Sequence, residues 1–268
     1  MNRATLTAAR TRTSRPRRRV GPDVVPWLLG AGMVGVQIAF PLTGGGTPTL
    51  TVLAVVLFAC ASVGHALLTR GPGAAVGLVV VAGGGGLAAE AIGLATGLPF
   101  GQYAYTGSLG TAVLGVPLVV PAAWIMMAYP SLIVGRRLTA ALGRGRGLTT
   151  VLGAWALATW DVFLDPQMVA EGYWTWTHPH PSLPGSPDVP LTNYLGWLLV
   201  AVLLMSLLDR VTPRERGDDL MPGVLYLWTY AAQVLGNLAF FGRPAVALLG
   251  GVAMGLVAVP YARSLRDG

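Results

Sequence analysis

Apolar residues run in long stretches along the chain, and polar residues gather in the short segments between them. A bilayer core needs about 20 apolar residues per helix. Eight stretches qualify, roughly 24–42, 48–68, 74–98, 115–135, 147–164, 191–208, 222–241 and 244–261. Backbone polar groups in lipid must be satisfied internally, so these stretches are predicted to be helices. The expected fold is all-α: a polytopic transmembrane helix bundle of about eight spans. Residues 1–22 read as a disordered Arg-rich tail, 23–262 as the transmembrane helical domain and 263–268 as a short second tail. The Pro-rich stretch 178–190 reads as a loop. Glycine runs such as Gly83–Gly86 lie inside spans, where small residues let helices approach closely.

Composition sharpens this picture. Of 268 residues, 53% are hydrophobic and only 11% are charged, against about 25% charged in soluble proteins. All 18 basic residues are arginines, and with 11 acids they give a charge of +7. Seven of them precede Val20, and no acid occurs before Asp23, so the remaining chain is balanced. A nucleic-acid-binding domain would spread its basic residues over a folded surface, and no nucleic-acid partner is expected. A basic start before an apolar stretch also fits a signal peptide. Against that, no small-residue cleavage site follows, and several more apolar stretches do. With the N-terminus inside, 17 of the 18 arginines fall on inner segments and only Arg243 falls outside. The positive-inside rule then places both termini in the cytoplasm of a multi-pass plasma-membrane protein. The single cysteine, Cys60, permits no intramolecular disulfide and reads as a small buried side chain.

Ionisable groups inside spans are costly and point to function. Glu90 lies about two turns before the outer end of the third span. Asp161 and Asp165 close the fifth, and their i,i+4 spacing puts both on one helix face. Asn193 and Trp197 repeat that spacing at the start of the sixth. Tyr226, Tyr230, Gln233 and Asn237 form a stripe on the seventh, and Gln37 sits near the outer end of the first. All point to one level, and a cavity open to the outside is expected there. His65 is near the inner end of its span and reads as structural. Loops at the outer level add Tyr103, Tyr105, Trp174 and Trp176, which suit either an interfacial belt or the mouth of a lipid-binding cleft. His178 and His180 lie in Pro-rich surroundings without a metal-ligand spacing, so no metal is expected.

Several motifs combine. Glu90-x-x-Gly93-x-x-x-Gly97-x-Pro99-Phe100-Gly101-x-Tyr103-x-Tyr105 precedes Leu109-Gly110, Gly115-Val116-Pro117, Pro121 and Trp124. Asp161-x-x-x-Asp165-Pro166, Gly172-x-Trp174-x-Trp176 and Pro190-x-x-Asn193-x-x-Gly196-Trp197 follow. Over about residues 85–200 the chain resembles the integral-membrane carotenoid biosynthesis family, which includes carotenoid 1,2-hydratases and bisanhydrobacterioruberin hydratases.

The resemblance implies a cofactor-independent hydro-lyase that adds water to the terminal double bond of an acyclic carotenoid. Such chemistry needs a positioned acid, a lining that tolerates a tertiary carbocation, and access for one water. A carboxyl surrounded by apolar side chains can keep its proton near neutral pH. One of Asp161 and Asp165 is the expected donor, with Glu90 orienting water or balancing the cation; the assignment could be reversed. Two nearby carboxyls titrate as a pair, and one tends to keep its proton. Tyr103, Tyr105, Trp174 and Trp176 are the candidate aromatic faces, each stabilising a cation by about 0.5–2 kcal/mol. Asn193 and Asn237 are candidate holders of water, and Trp197 is a further candidate contact to substrate. Membrane lipid and other carotenoid-pathway enzymes are the expected partners.

Three rivals remain at this level. A carotenoid cyclase would begin with the same protonation. A prenyltransferase would bind Mg²⁺-diphosphate, usually through paired Asp-rich motifs with basic partners, whereas Asp161-x-x-x-Asp165 stands alone on the side without arginines. A non-enzymatic carotenoid- or lipid-binding membrane protein would not depend on the carboxyls.

Overall fold

The computed structural model describes residues 24–43, 47–214 and 217–266. The Arg-rich tail expected over 1–22 lies outside the described residues. The chain makes eight long helical passes: α1 (Val24–Leu42), α2 (Pro48–Arg70), a pass from Pro72 to Thr96, α5 (Val119–Ala141), a pass from Arg146 to Ala170, α8 (Leu191–Val211), α9 (Leu220–Ala239) and α10 (Pro244–Arg266). Among the described residues, seven of these are long and apolar enough to cross a membrane. The other is α9, whose length suffices but whose Tyr226, Trp228, Tyr230, Gln233 and Asn237 dilute its apolar character. The protein is an all-α membrane bundle.

Two passes are interrupted. The third is α3 (Pro72–Leu78), a π-helical segment (Val79–Gly84) and α4 (Gly85–Thr96). The glycine run explains the segment's close packing. A Cβ on Gly83 would lie 2.8 Å from Ile125 Cδ1, and one on Gly86 would lie 2.5 Å from the Trp124 ring. π-segments re-aim the helix that follows and occur often at functional sites. The fifth pass is α6 (Arg146–Ala158) followed, after a turn, by α7 (Asp161–Ala170). The expected end of this span at 164 is therefore corrected. Pro166 sits inside α7 and does not stop it, since membrane helices tolerate proline where neighbours re-satisfy the freed carbonyl. Asp161 is consequently the first residue of α7 and Asp165 lies one turn on, so both are buried inside the pass rather than placed at its outer end.

α5 is central. In its apolar stretch 67% of residues are buried inside the protein, against 22% for α1, and it packs on α2, α6, α8, α9, α10 and the π-segment. Its crossing with α6 is set by two glycines: a Cβ on Gly135 would lie 2.8 Å from Gly153 N and 2.9 Å from Thr149 O. Those are backbone atoms and cannot swing aside. Gly135→Ala is therefore expected to cost about 1–3 kcal/mol. Gly35 on α1 faces open space, so Gly35→Ala should be near neutral, and thermal unfolding in detergent compares the two. Cys60 is exposed on the outward side of α2, which corrects its expected burial.

One end of the bundle carries every described arginine but Arg243. There Arg70 donates to Tyr129 Oη (2.6 Å) and to Asp219, while buried His65 bonds Tyr129 Oη (2.9 Å) and Asp218 O (2.7 Å). Asp209 accepts from Arg136 (2.8 Å) and Arg214 (2.5 Å). This polar network ties α2, α5, α8 and the start of α9 together.

The opposite end carries small ribbons that a reading of the loops as irregular did not anticipate. β1 (Tyr103–Tyr105) pairs antiparallel with β4 (Trp174–Trp176), setting Tyr103 opposite Trp176 and Tyr105 opposite Trp174. β2 (Ala112–Val113) pairs with β3 (Val116–Pro117). β5 (Ser182–Leu183) pairs with β6 (Ser186–Pro190) inside the Pro-rich stretch expected to be a loop. Alternate strand residues share a face, so the β1–β4 ribbon brings all four aromatics to one side.

Candidate functional site

At the ribbon end the bundle encloses a cavity of about 410 Å³. It is mostly apolar and contains two separate carboxyl sites.

The first is Glu90. Gly86, Glu90 and Gly93 fall on one face of α4 (their spacing is 4 and 3 residues). Both glycines keep that face thin: a Cβ on Gly93 would lie 2.8 Å from Phe100 and 3.0 Å from Tyr103 Oη. The ribbon can thus close down on Glu90. Its Oε2 accepts from Tyr103 Oη at 2.5 Å and Tyr105 Oη at 2.9 Å. Its Oε1 accepts from Trp124 Nε1 at 3.3 Å. Burial, followed by the charge of Glu90, pushes both phenols well above the ordinary tyrosine value, so they remain donors.

The second is the aspartate pair. Asn193, on the first turn of α8, donates through Nδ2 to Asp161 Oδ2 (2.8 Å) and to Asp165 Oδ2. The two carboxylates differ in placement. Asp165 and Asn193 line the cavity, whereas Asp161 is fully buried behind the wall, and its Oδ1 has no partner among the described residues. Among the described residues no arginine or histidine forms an ion pair with any of the three carboxylates.

Aromatic rings surround the space between them. Trp197 stacks on Trp124 at 4.0 Å and 14°, and meets Trp160 edge-on at 6.0 Å and 82°. Tyr103 packs against Tyr105 and Trp176, and Tyr105 against Trp174, with centroids 5.6–5.7 Å apart. Gly196 makes this fit possible, since a Cβ there would lie 2.8 Å from both Phe100 Cδ1 and Pro99 O. The motifs Pro99-Phe100-Gly101 and Asn193-x-x-Gly196-Trp197 are two halves of one contact.

The structure therefore brings Glu90, Tyr103, Tyr105, Asp165, Trp174, Trp176, Asn193 and Trp197 to the lining of one cavity, with Asp161 behind Asn193. Asn237 is not brought there. It is fully buried, donates to Gln233 O at 2.9 Å, and is absent from the lining. Tyr226 and Tyr230 of the same stripe bond Ala156 O and Gly251 O, while Gln233 does reach the cavity. Trp124, quoted only as a motif residue, and Trp160 and Gln167 also line the cavity, and the sequence reading assigned none of the three a site role. Gln167 is 8% exposed and its side chain makes no hydrogen bond to the described residues. Only the proximity of Gln167 to Asp165-Pro166 could have drawn attention to it.

Comparison with known sequences fits this arrangement. The sequence model of a family described as carotenoid biosynthesis protein matches residues 47–259. The chain belongs to that family. The carotenoid biosynthesis family match covers every carboxyl of the cavity and all of its aromatic groups but Phe40, and of the helical passes it leaves out α1 and the last turns of α10. The bisanhydrobacterioruberin hydratase of Haloarcula japonica is 35% identical over 172 residues, which is 59% of this chain and 56% of that protein. The match thus spans about half the length of that curated relative. No solved structure matches.

Proposed function

We propose that this carotenoid biosynthesis protein hydrates the terminal double bond of an acyclic carotenoid end group. The observation that carries the reading is one apolar, tryptophan-walled cavity holding a lone carboxyl with three donors and a carboxyl pair hydrogen-bonded to each other. Glu90 receives three donors, the pattern of a carboxylate held as an anion. Asp161 and Asp165 share the Asn193 amide, Asp165 also meets the Trp174 N–H, and the two carboxyls sit against each other as a pair, which suits one retained proton.

Asp165 faces the cavity and is the assigned acid. Its O–H proton goes to the less substituted carbon of the double bond, whose π pair forms the new C–H bond. The tertiary carbocation left behind is flanked by the Trp124, Trp160 and Trp197 rings and balanced by Glu90. A water oxygen then bonds the cationic carbon and returns a proton to Asp165. The sum is substrate plus water, with the carboxyl restored. Asn193 orients the two aspartates. Its NH2 is committed to them, so the side-chain N–H donor left for the water is that of Gln167. A cyclase would share the protonation, but the free amide of Gln167 in the wall favours capture by water. The arginine bias of the sequence supports a plasma-membrane topology with both termini in the cytoplasm.

Co-expression with an acyclic carotenoid pathway tests the reading. The product should be heavier by one water, and unchanged carotenoid mass with confirmed membrane expression would overturn it. Gln167→Leu carries a finer prediction. Without its hydrogen bond to water, capture should slow about tenfold, and more cations should lose a proton again. In D2O the variant's recovered substrate should therefore gain deuterium while the alcohol declines. Equal loss of both signals would remove Gln167 from the water-holding role.

A further inference from the structure

A cavity of about 410 Å³ lies near the small end of the range for ligand sites. That accommodates an end group and a short stretch of chain. An acyclic isoprenoid of roughly forty carbons, about as long as a ~30 Å hydrocarbon core is thick, must leave the cavity. The route is marked by exposure. Among the described residues, the cavity-lining side chains that are exposed are Ile38 (49%), Leu42 (69%), Leu235 (60%) and Phe240 (52%). The first two are on α1, and the others are on α9 and the residue that follows it. All four are apolar. Two contacts frame the opening: Trp228 Nε1 donates to Gln37 Oε1 at 2.7 Å, and Phe40 meets Phe241 edge-on at 6.1 Å.

We infer that the seam between α1 and α9 is a lateral slot through which the isoprenoid tail passes from the cavity into the lipid. The inference rests on the hydratase reading for the identity of the chain, since the slot opens directly from that site. It also gives α1 a role. That helix lies outside the segment matched by the family model, yet it supplies one lip of the slot. Tail recognition is thereby separated from the carboxyl and tryptophan machinery, and α1 is the place where substrate length and tail shape are selected.

Two measurements test it together. The first is photolabelling of the full chain in nanodiscs with an acyclic polyprenoid carrying a diazirine midway along its tail. Labels are expected on peptides of α1 and α9. Labels confined to other helices would overturn the slot, whether or not the protein turns over substrate. The second is Ala232→Trp, which fills the lining of α9 beside the opening. The ratio of conversion of a long acyclic carotenoid to that of a short acyclic analogue with the same end group should fall at least about tenfold. Leu203→Trp, on the outward face of α8 away from the cavity, should leave that ratio unchanged. A ratio unmoved by Ala232→Trp would also overturn the slot. If the wild type hydrates neither substrate while the tail probe still labels α1 and α9, the hydratase reading falls and the slot stands.

Discussion

Asp165→Asn should reduce hydration by about 100- to 10,000-fold, the range over which a positioned general acid acts. The substitution preserves shape and removes the proton that the double bond needs. Asn193 still finds a carbonyl oxygen to donate to, so the variant should reach the membrane at wild-type level. Asp161→Asn is the informative partner. Asp161 touches the same amide but lies behind the cavity wall. It acts through Asp165, by holding Asn193 and by sharing a proton with the pair. Its loss should cost about tenfold, in line with one buried hydrogen bond. Initial rates in membranes of matched expression measure both. A severe Asp161→Asn with a mild Asp165→Asn would exchange the two roles.

That contrast shows where sequence reasoning reached its end. Spacing i,i+4 correctly put both aspartates on one face of a helix. It could not say that Asn193 would stand between them, with only one carboxylate reaching the cavity. The helical passes were legible because apolar length is a physical requirement of a bilayer, met or not met within each stretch. Even α9 was recognisable by length, although its polar stripe brings it below the apolar level of its neighbours. That stripe then divided: Gln233 lines the cavity, while Tyr226, Tyr230 and Asn237 bond backbone carbonyls.

The β1–β4 ribbon was hidden for a different reason. Three residues a side are too few to show a period, and pairing across about 70 residues of chain leaves no local mark. Trp160 was hidden in plain apolar sequence, where a tryptophan looks like any core residue, and Trp124 stood in the family motif with no role attached to it. Only the fold reveals that Trp197 contacts both rings, and that the Trp124 N–H is spent on Glu90.

Glu90→Gln is the other large effect, and it separates stabilising a cation from supplying a proton. Opposite charges a few ångströms apart in a dry site interact far more strongly than in water. Removing a preorganised partner of the developing charge typically costs about 100- to 1,000-fold. Glutamine keeps the volume of Glu90, but its NH2 can no longer accept. One of the three donors from Tyr103, Tyr105 and Trp124 then loses its partner, at a cost of about 1–3 kcal/mol in stability. Stability and catalysis must therefore be read apart. Tyr105→Phe removes one donor and keeps the charge, so it provides the reference: a modest loss of stability with most of the rate retained. Deuterium completes the separation. If Glu90 balances the cation, the cation forms rarely in Glu90→Gln, and in D2O both deuterium uptake and alcohol formation should collapse together. That differs from Gln167→Leu, where uptake survives and capture fails. Should Glu90→Gln instead keep full deuterium uptake while losing the alcohol, Glu90 would be handling the water, and balancing the cation would pass to the tryptophan rings alone.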